Sequence, residues 1–197
     1  WLLQTRSGKR TGAAMIKIAI DMLHQGYIDE KTALKRCDPE KLDELLHPVF
    51  DKKALAAAKP VTNGLPASPG AAAGQVVFHA DEAEEWAKEG KKVILCRIET
   101  SPEDLRGMAT AQGILTARGG MTSHAAVVAR GMGKCCVSAA NGLVINYKER
   151  KMTINGKVFN EGDWISLNGT TGNVYEGKIQ TQDAELGPDF LELMKIA

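Results

Sequence analysis

The sequence predicts a mixed α/β domain, preceded by a small helical segment and followed by a helical linker. Three observations carry this reading. Apolar residues recur at helical spacing through the opening part of the chain. Lys59–Gly70 then breaks the texture, with three prolines and two glycines in twelve residues. Beyond it, short apolar runs bounded by turn residues alternate with helical stretches, and strands dominate towards Tyr175. A mixed domain of about 120 residues lies within the usual size range.

The elements follow in order. Trp1–Arg6 reads as a strand end and Ser7–Gly12 as a turn. Met15, Ile18, Ala19, Met22 and Leu23 mark an amphipathic helix stopped by Gly26. Asp29 caps a second helix carrying Ala33 and Leu34; Asp38 and Pro39 open a third, with Leu42, Leu45 and Leu46 inward and Pro48 at its end. This part lacks a large core of its own and is expected to pack on sequence outside the chain. Lys59–Gly70 is read as a linker leading into the main domain. There, Gln75–Phe78 is a strand, Asp81 and Glu84 form a capping pair for a helix ending near Gly90, and Val93–Cys96 is a buried strand. Ser101 caps a helix that starts at Pro102; Gly113–Thr116 and Cys135–Ser138 are strands around a further helix. Lys151–Ile154, Asp163–Leu167 and Asn173–Tyr175 are short strands, the last two joined by a turn over Gly169–Gly172. A second helical connector is expected from Thr181. No internal repeat is visible.

Composition narrows the function classes. The chain has 197 residues, a net charge of +1 and 44% hydrophobic residues, which fits one full domain with extra segments. That balance argues against a nucleic-acid footprint. No apolar run approaches the roughly 20 residues of a membrane span, and no secretory leader is read. A cytoplasmic location is expected, an organelle being left open. Cys37, Cys96, Cys135 and Cys136 carry no C-x-x-C spacing, so reduced thiols are expected. Cys135 and Cys136 read as core residues, not nucleophiles, and no four residues share a zinc spacing. His24, His47 and His79 read as structural or exposed, and Trp86 and Trp164 as packing residues. Lys91 and Lys92 read as a solvated strand start. The absence of an initiator Met and the helix closing on Ala197 predict a fragment of a longer protein.

The stretch Arg118-Gly-Gly-Met-Thr-Ser-His-Ala-Ala-Val-Val-Ala-Arg130 points most directly to chemistry. It puts His124 at the mouth of a short helix, behind two glycines. A histidine that accepts a phosphoryl group must be neutral, exposed and open to in-line approach. At a pKa of about 6.5, roughly three quarters of an imidazole population is neutral at pH 7. A helix N-terminus disfavours imidazolium and favours an anionic phosphoimidazole, by about 0.3–1 kcal/mol and up to about 2 when partly buried. Thr122 or Ser123 can cap that helix. Gly119 and Gly120 permit unusual backbone angles and close approach by a phosphate donor. Ala125–Ala129 form a small apolar face beneath, and Arg130 either holds the loop or meets the phosphate.

Gly119–Ser138 resembles the phosphohistidine motif of pyruvate, phosphate dikinase, within the PEP-utilizing enzyme family that includes phosphoenolpyruvate synthase and Enzyme I of the sugar phosphotransferase system. Met121, where those relatives usually carry Arg, and the Cys135–Cys136 pair favour the dikinase. Leu65–Gly74 resembles the opening motif of the same mobile domain; Glu99–Asp104 and Leu45–Pro48 also look like dikinase sequence.

The resemblance implies a swivelling β/β/α phosphohistidine domain over residues 59–180. Residues 1–58 would hold the end of an ATP-grasp nucleotide domain, a helical segment and a linker. Residues 181–197 would be a linker helix towards a pyruvate/PEP-binding barrel. It also implies the reaction ATP + phosphate + pyruvate = AMP + diphosphate + phosphoenolpyruvate, with His124 as covalent nucleophile taking the β-phosphoryl of ATP and passing it to pyruvate. Gly119, Gly120, Thr122, Ser123 and Arg130 would support the phosphate and the loop. Gln4 and Arg6 would contact nucleotide phosphates together with the missing domain. Thr122 matches a position phosphorylated in some members to switch the enzyme off. Mg2+, with ammonium or potassium, would be held through flanking domains, and no metal on this chain. A homodimeric full-length enzyme is implied, with no nucleic-acid or membrane partner. Segments near 47–64 and beyond 180 would be hinges, a roughly 15-residue coil spanning about 20 Å. Ala67–Gly74 is expected as a turn packed under the histidine loop, and not as a nucleotide P-loop, since it lacks Gly-Lys-Ser/Thr. A phosphoenolpyruvate synthase-like domain and a non-catalytic swivelling module are the alternatives.

Overall fold

The computed structural model describes residues 4, 5, 8, 10–184 and 186–197. The helices and strands follow in chain order. They are α1 (Gly12–His24), α2 (Glu30–Lys35), α3 (Pro39–Glu44), β1 (Val49–Phe50), α4 (Lys52–Ala57), β2 (Pro60–Asn63), β3 (Leu65–Ser68) and β4 (Ala71–Val77). Then come α5 (Ala80–Lys88), β5 (Val93–Arg97), α6 (Leu105–Thr110), β6 (Gly113–Thr116), α7 (His124–Gly131), β7 (Cys135–Ser138) and β8 (Leu143–Asn146). The last are β9 (Lys151–Ile154), β10 (Lys157–Asn160), β11 (Trp164–Asn168), β12 (Asn173–Glu176), β13 (Thr181–Gln182) and α8 (Pro188–Ile196). They form two compact units, Trp1–Leu46 with Ala184–Ala197, and His47–Asp183.

The first unit is helical. Thr11 caps α1 by accepting the Ala14 amide, Asp29 caps α2 at 2.8 Å from the Thr32 nitrogen, and Asp38 caps α3. Its core joins Met15, Ile16, Ala19 and Ile20 of α1 to Ala33, Cys37, and Phe190 and Leu193 of α8. The buried face of α1 is therefore rotated from the expected one: Ile16 and Ile20 are inside, while Ile18, Met22 and Leu23 are only half-buried. Leu46, expected inward, is 52% exposed, because α3 ends at Glu44. The core is completed by α8, so these helices do not lack packing partners within the chain. Trp1–Arg6 falls mostly outside the described residues; Gln4 and Thr5 are exposed and lie in no strand.

The second unit has three layers. Its central eight-stranded sheet runs β2-β12-β11-β4-β5-β6-β7-β3. β4, β5, β6 and β7 pair in parallel and the outer strands antiparallel. The parallel strands read as unbroken apolar runs because both of their faces are covered. Val76, Ile94, Cys96, Leu115 and Val137 point to one side, against Leu143, Ile145, Met152, Ile154 and Phe159 of the antiparallel sheet β10-β9-β8. Val77, Leu95, Ile114 and Cys136 point to the other, against Ala83, Met108, Ala125, Ala126 and Ala129 of α5, α6 and α7. Sheet, sheet and helices make the expected β/β/α arrangement. Where α6 crosses α5, a Cβ on Gly107 would lie 2.5 Å from the Ala80 Cα, so only glycine permits that approach.

Lys59–Gly70 is not a linker. It forms β2 and β3, the two edges of the main sheet. Pro60 and Pro66 sit on these edge strands, where a missing amide donor is tolerated. The span 47–64 is folded as well: Phe50 packs with Ala71, Tyr175 and Ile179, with Ala54, Leu55 and Ala58 beside them. Thr181 opens β13, paired antiparallel with β1, and the closing helix begins only at Pro188. Asp81 and Glu84 do not cap α5. His79 holds the cap position, and Asp81 and Glu82 occupy the first turn, where acidic side chains favour the helix dipole.

Candidate functional site

The histidine loop leaves the C-terminal end of β6, among the parallel strands. Its first residues stay tied to the loop after β5: Ala117 donates its amide to the Arg97 carbonyl at 3.1 Å and Arg118 to that of Ile98 at 3.0 Å. Gly119 has a φ of 118°, and a Cβ there would lie 2.9 Å from Ser123 Oγ. Only glycine meets both demands. Gly120 has no atom within 4 Å of a built Cβ, so the fold itself does not require it. Ser123, not Thr122, is the helix cap, its Oγ accepting the Ala126 amide at 3.4 Å. Thr122 is exposed beside it.

His124 is the first residue of α7, where backbone amides lack carbonyl partners within the helix. Its ring is half-buried, with Nδ1 2.9 Å from the Thr100 hydroxyl. Nε2 makes no hydrogen bond among the described residues. The imidazole is thus anchored at one nitrogen and open at the other, at the positive end of a helix. That arrangement suits a nucleophile whose product is an anion.

Arg130 holds the loop. It donates to the Met121 carbonyl at 2.6 Å and to the Ala67 carbonyl of β3 at 3.4 Å. Ala67 packs beneath α7 with Ala125, Ala126, Ala129 and Cys136. Of the Ala67–Gly74 stretch, Ala67 lies under the loop, within strand β3, while Ala71 and Ala72 belong to β4 and pack in other parts of the core. Gln4 is exposed in the other unit, and Arg6 lies outside the described residues.

Thr100 is the site residue that local pattern missed. It stands 24 positions from His124, and only the pairing of β5 with β6 brings the two loops together. The Glu99–Asp104 motif was the available signal, with no role attached to its hydroxyl.

The cysteines are buried free thiols. Burial pushes the Cys136 thiol up to about 11, against the Ser138 hydrogen bond and the Arg130 charge. Burial also pushes Cys96 and Cys135 well above the ordinary range. None is poised as a thiolate. Among the described residues no group of three or more His, Cys, Asp or Glu side chains could hold a metal ion, and no helix is long and apolar enough to cross a membrane.

Residues 89–172 match the family "PEP-utilising enzyme, mobile domain". The chain is 55% identical over 194 residues to pyruvate, phosphate dikinase 2 of Oryza sativa subsp. japonica, covering 98% of this chain and 22% of that protein. It is 53% identical over 197 residues to the chloroplastic enzyme of Mesembryanthemum crystallinum, covering 100% and 21%. Against pyruvate, phosphate dikinase of Clostridium symbiosum it is 53% identical over 194 residues, covering 98% and 22%. The chain spans about a fifth of the length of these curated relatives. Residues 89–172 are thus similar to the mobile domain of the PEP-utilising enzymes, and over nearly its full length the chain is similar to a segment of pyruvate, phosphate dikinase.

Proposed function

We propose that His124 carries a phosphoryl group from ATP to pyruvate, in the reaction ATP + phosphate + pyruvate = AMP + diphosphate + phosphoenolpyruvate. The observation that carries this reading is the Thr100 hydroxyl 2.9 Å from Nδ1. When the ring proton sits on Nδ1, facing that hydroxyl, the lone pair is on Nε2. Nε2 attacks the β-phosphorus, a P–N bond forms, and the bond to the AMP oxygen breaks. Inorganic phosphate takes the γ-phosphoryl as diphosphate. In the second half the P–N bond breaks and the enolate oxygen of pyruvate receives the phosphoryl group, restoring neutral His124. One difficult transfer becomes two easier ones.

The loop residues take supporting roles. Gly120 leaves space for the incoming donor, and the α7 amides face the transferred phosphoryl. Gly119, Ser123 and Arg130 hold the backbone that presents them. Thr122 is exposed two residues before His124, so a phosphate added there would repel the donor. Gln4 and Arg6 would act at the nucleotide, and magnesium would be held, by parts of the enzyme outside this chain. The described residues offer no donor set for the ion. Carriage between two centres needs the unit His47–Asp183 to move as one body, with rotation confined to a few residues at its ends.

The test uses the full-length protein with ATP labelled at the β-phosphorus. Wild type should place the label on His124. His124→Ala should lose the label and ATP–pyruvate exchange while keeping its melting transition. An alanine variant that still exchanges fully refutes the assignment. An unlabelled wild type would instead mark a domain that only positions its neighbours. Diphosphate formed only when phosphate is supplied identifies the dikinase, since a phosphoenolpyruvate synthase uses water there.

A further inference from the structure

The loop that delivers Thr100 is fixed on both sides. Ile98 donates its amide to the Tyr147 hydroxyl at 2.7 Å. Its carbonyl accepts from Arg118 at 3.0 Å. On the far side, Ser101 donates its amide to Asp104 Oδ2 at 2.8 Å. Arg97 ties these supports together. Its Nη1 donates to the Phe78 carbonyl at 3.0 Å, its Nε lies 3.6 Å from Asp104 Oδ2, and its guanidinium stacks 4.8 Å from the centre of the Tyr147 ring. Asp104 is buried and Arg97 is largely so. Tyr147 does not belong to the main sheet. It directly follows β8 of the covering sheet, its ring 5.6 Å from that of His79.

We propose that Tyr147 is a positioning residue for His124, acting through the Ile98 amide and the Thr100 hydroxyl; this rests on His124 being the phosphoryl acceptor. The Ile98 amide is part-buried, so without the tyrosine hydroxyl it loses its acceptor and the loop relaxes to find another. Thr100 moves with it. An imidazole that loses its Nδ1 partner interconverts between tautomers and turns about its own bonds. Both changes cost rate, since small misplacements of a reacting atom are expensive.

The experiment uses this chain with 15N-labelled histidine, as wild type, Tyr147→Phe, Thr100→Val and the double variant. Ring-nitrogen NMR reads the tautomer of His124, melting curves read the fold, and phosphoramidate serves as a small phosphoryl donor followed by 31P NMR. Tyr147→Phe keeps the ring that faces Arg97 and should melt within a few degrees of wild type. It should nevertheless move the His124 nitrogen shifts towards tautomer-averaged values and slow phosphorylation about two- to ten-fold, the worth of one hydrogen bond. The double variant should be no slower than Thr100→Val alone, because both changes lie on one path. Unchanged nitrogen shifts and rate in Tyr147→Phe, or additive slowing in the double variant, would overturn the proposal. So would a Tyr147→Phe chain that simply melts, which marks the hydroxyl as structural. If wild type takes no phosphoryl group from any donor, the acceptor assignment fails, while the nitrogen shifts still decide the positioning claim.

Discussion

At the scale of single residues, the two glycines before the histidine have different jobs. Gly119 is demanded by the fold, through its φ of 118° and the 2.9 Å clearance to Ser123 Oγ. Gly119→Ala should cost about 1–3 kcal/mol of backbone strain and disturb the cap of α7, visible as a melting temperature several degrees lower. Gly120→Ala meets nothing within 4 Å, so it should melt like wild type. Any loss of β-phosphoryl labelling in Gly120→Ala then reports crowding of the donor, not damage to the loop. A Gly120→Ala chain as unstable as Gly119→Ala would remove this distinction. The sequence made the cap and the glycines legible because caps and turns are decided by neighbours a few positions apart. Thr100 was illegible for the opposite reason. Its meeting with His124 depends on the register of two strands, which no local pattern encodes.

At the scale of elements, α5 is fastened to the covering sheet by an acid pair. Arg150 lies 2.7 Å from Glu82 Oε1 and 3.0 Å from Glu161 Oε1. The second oxygens of both glutamates are buried. Burial raises the Glu82 carboxyl above the ordinary glutamate range; the Glu161 charge and hydrogen bond add to this, while Arg150 and His79 oppose it. A raised folded value means the folded chain binds the proton more tightly than the unfolded chain does. The stabilisation is therefore complete below the ordinary glutamate range and is lost as pH climbs through the raised value. Glu82→Gln keeps a neutral group there. Its melting temperature should exceed that of wild type at neutral pH and fall less steeply from pH 4 upward; parallel melting curves across pH would refute the raised Glu82 carboxyl. None of this could be read from Glu82, Arg150 and Glu161 in sequence, for Glu82 lies in α5 and the other two in separate turns far along the chain. The proline-rich edge strands β2 and β3 misled for a related reason. Proline signals a break, and only the strand order reveals that the break falls at a sheet edge.

At the scale of the whole molecule, the layer order was legible because continuous apolar runs demand cover on both faces. Domain limits were harder, since the residues before Lys59 carry ordinary helical and turn signals and declare their place only by packing. That packing makes a prediction. A chain cut to His47–Asp183 keeps Phe50 against Tyr175 and Ile179 and should melt cooperatively. One cut to residues 59–180 loses Phe50, α4 and the β1–β13 pair, at about 1.5–3 kcal/mol for each large side chain left uncovered. Its melting temperature should drop markedly and it should bind a hydrophobic dye; equal stability of the two pieces would show that this flank contributes nothing. The pairing of β1 with β13 reaches further. Val49 faces Gln182 and Phe50 faces Thr181, so the chain enters and leaves the unit at adjacent points. A pull on those two ends loads this ladder at its open side and peels it one rung at a time. The interior strands take no part until both rungs have gone, so under tension the stalk yields while the imidazole and its bracket stay whole.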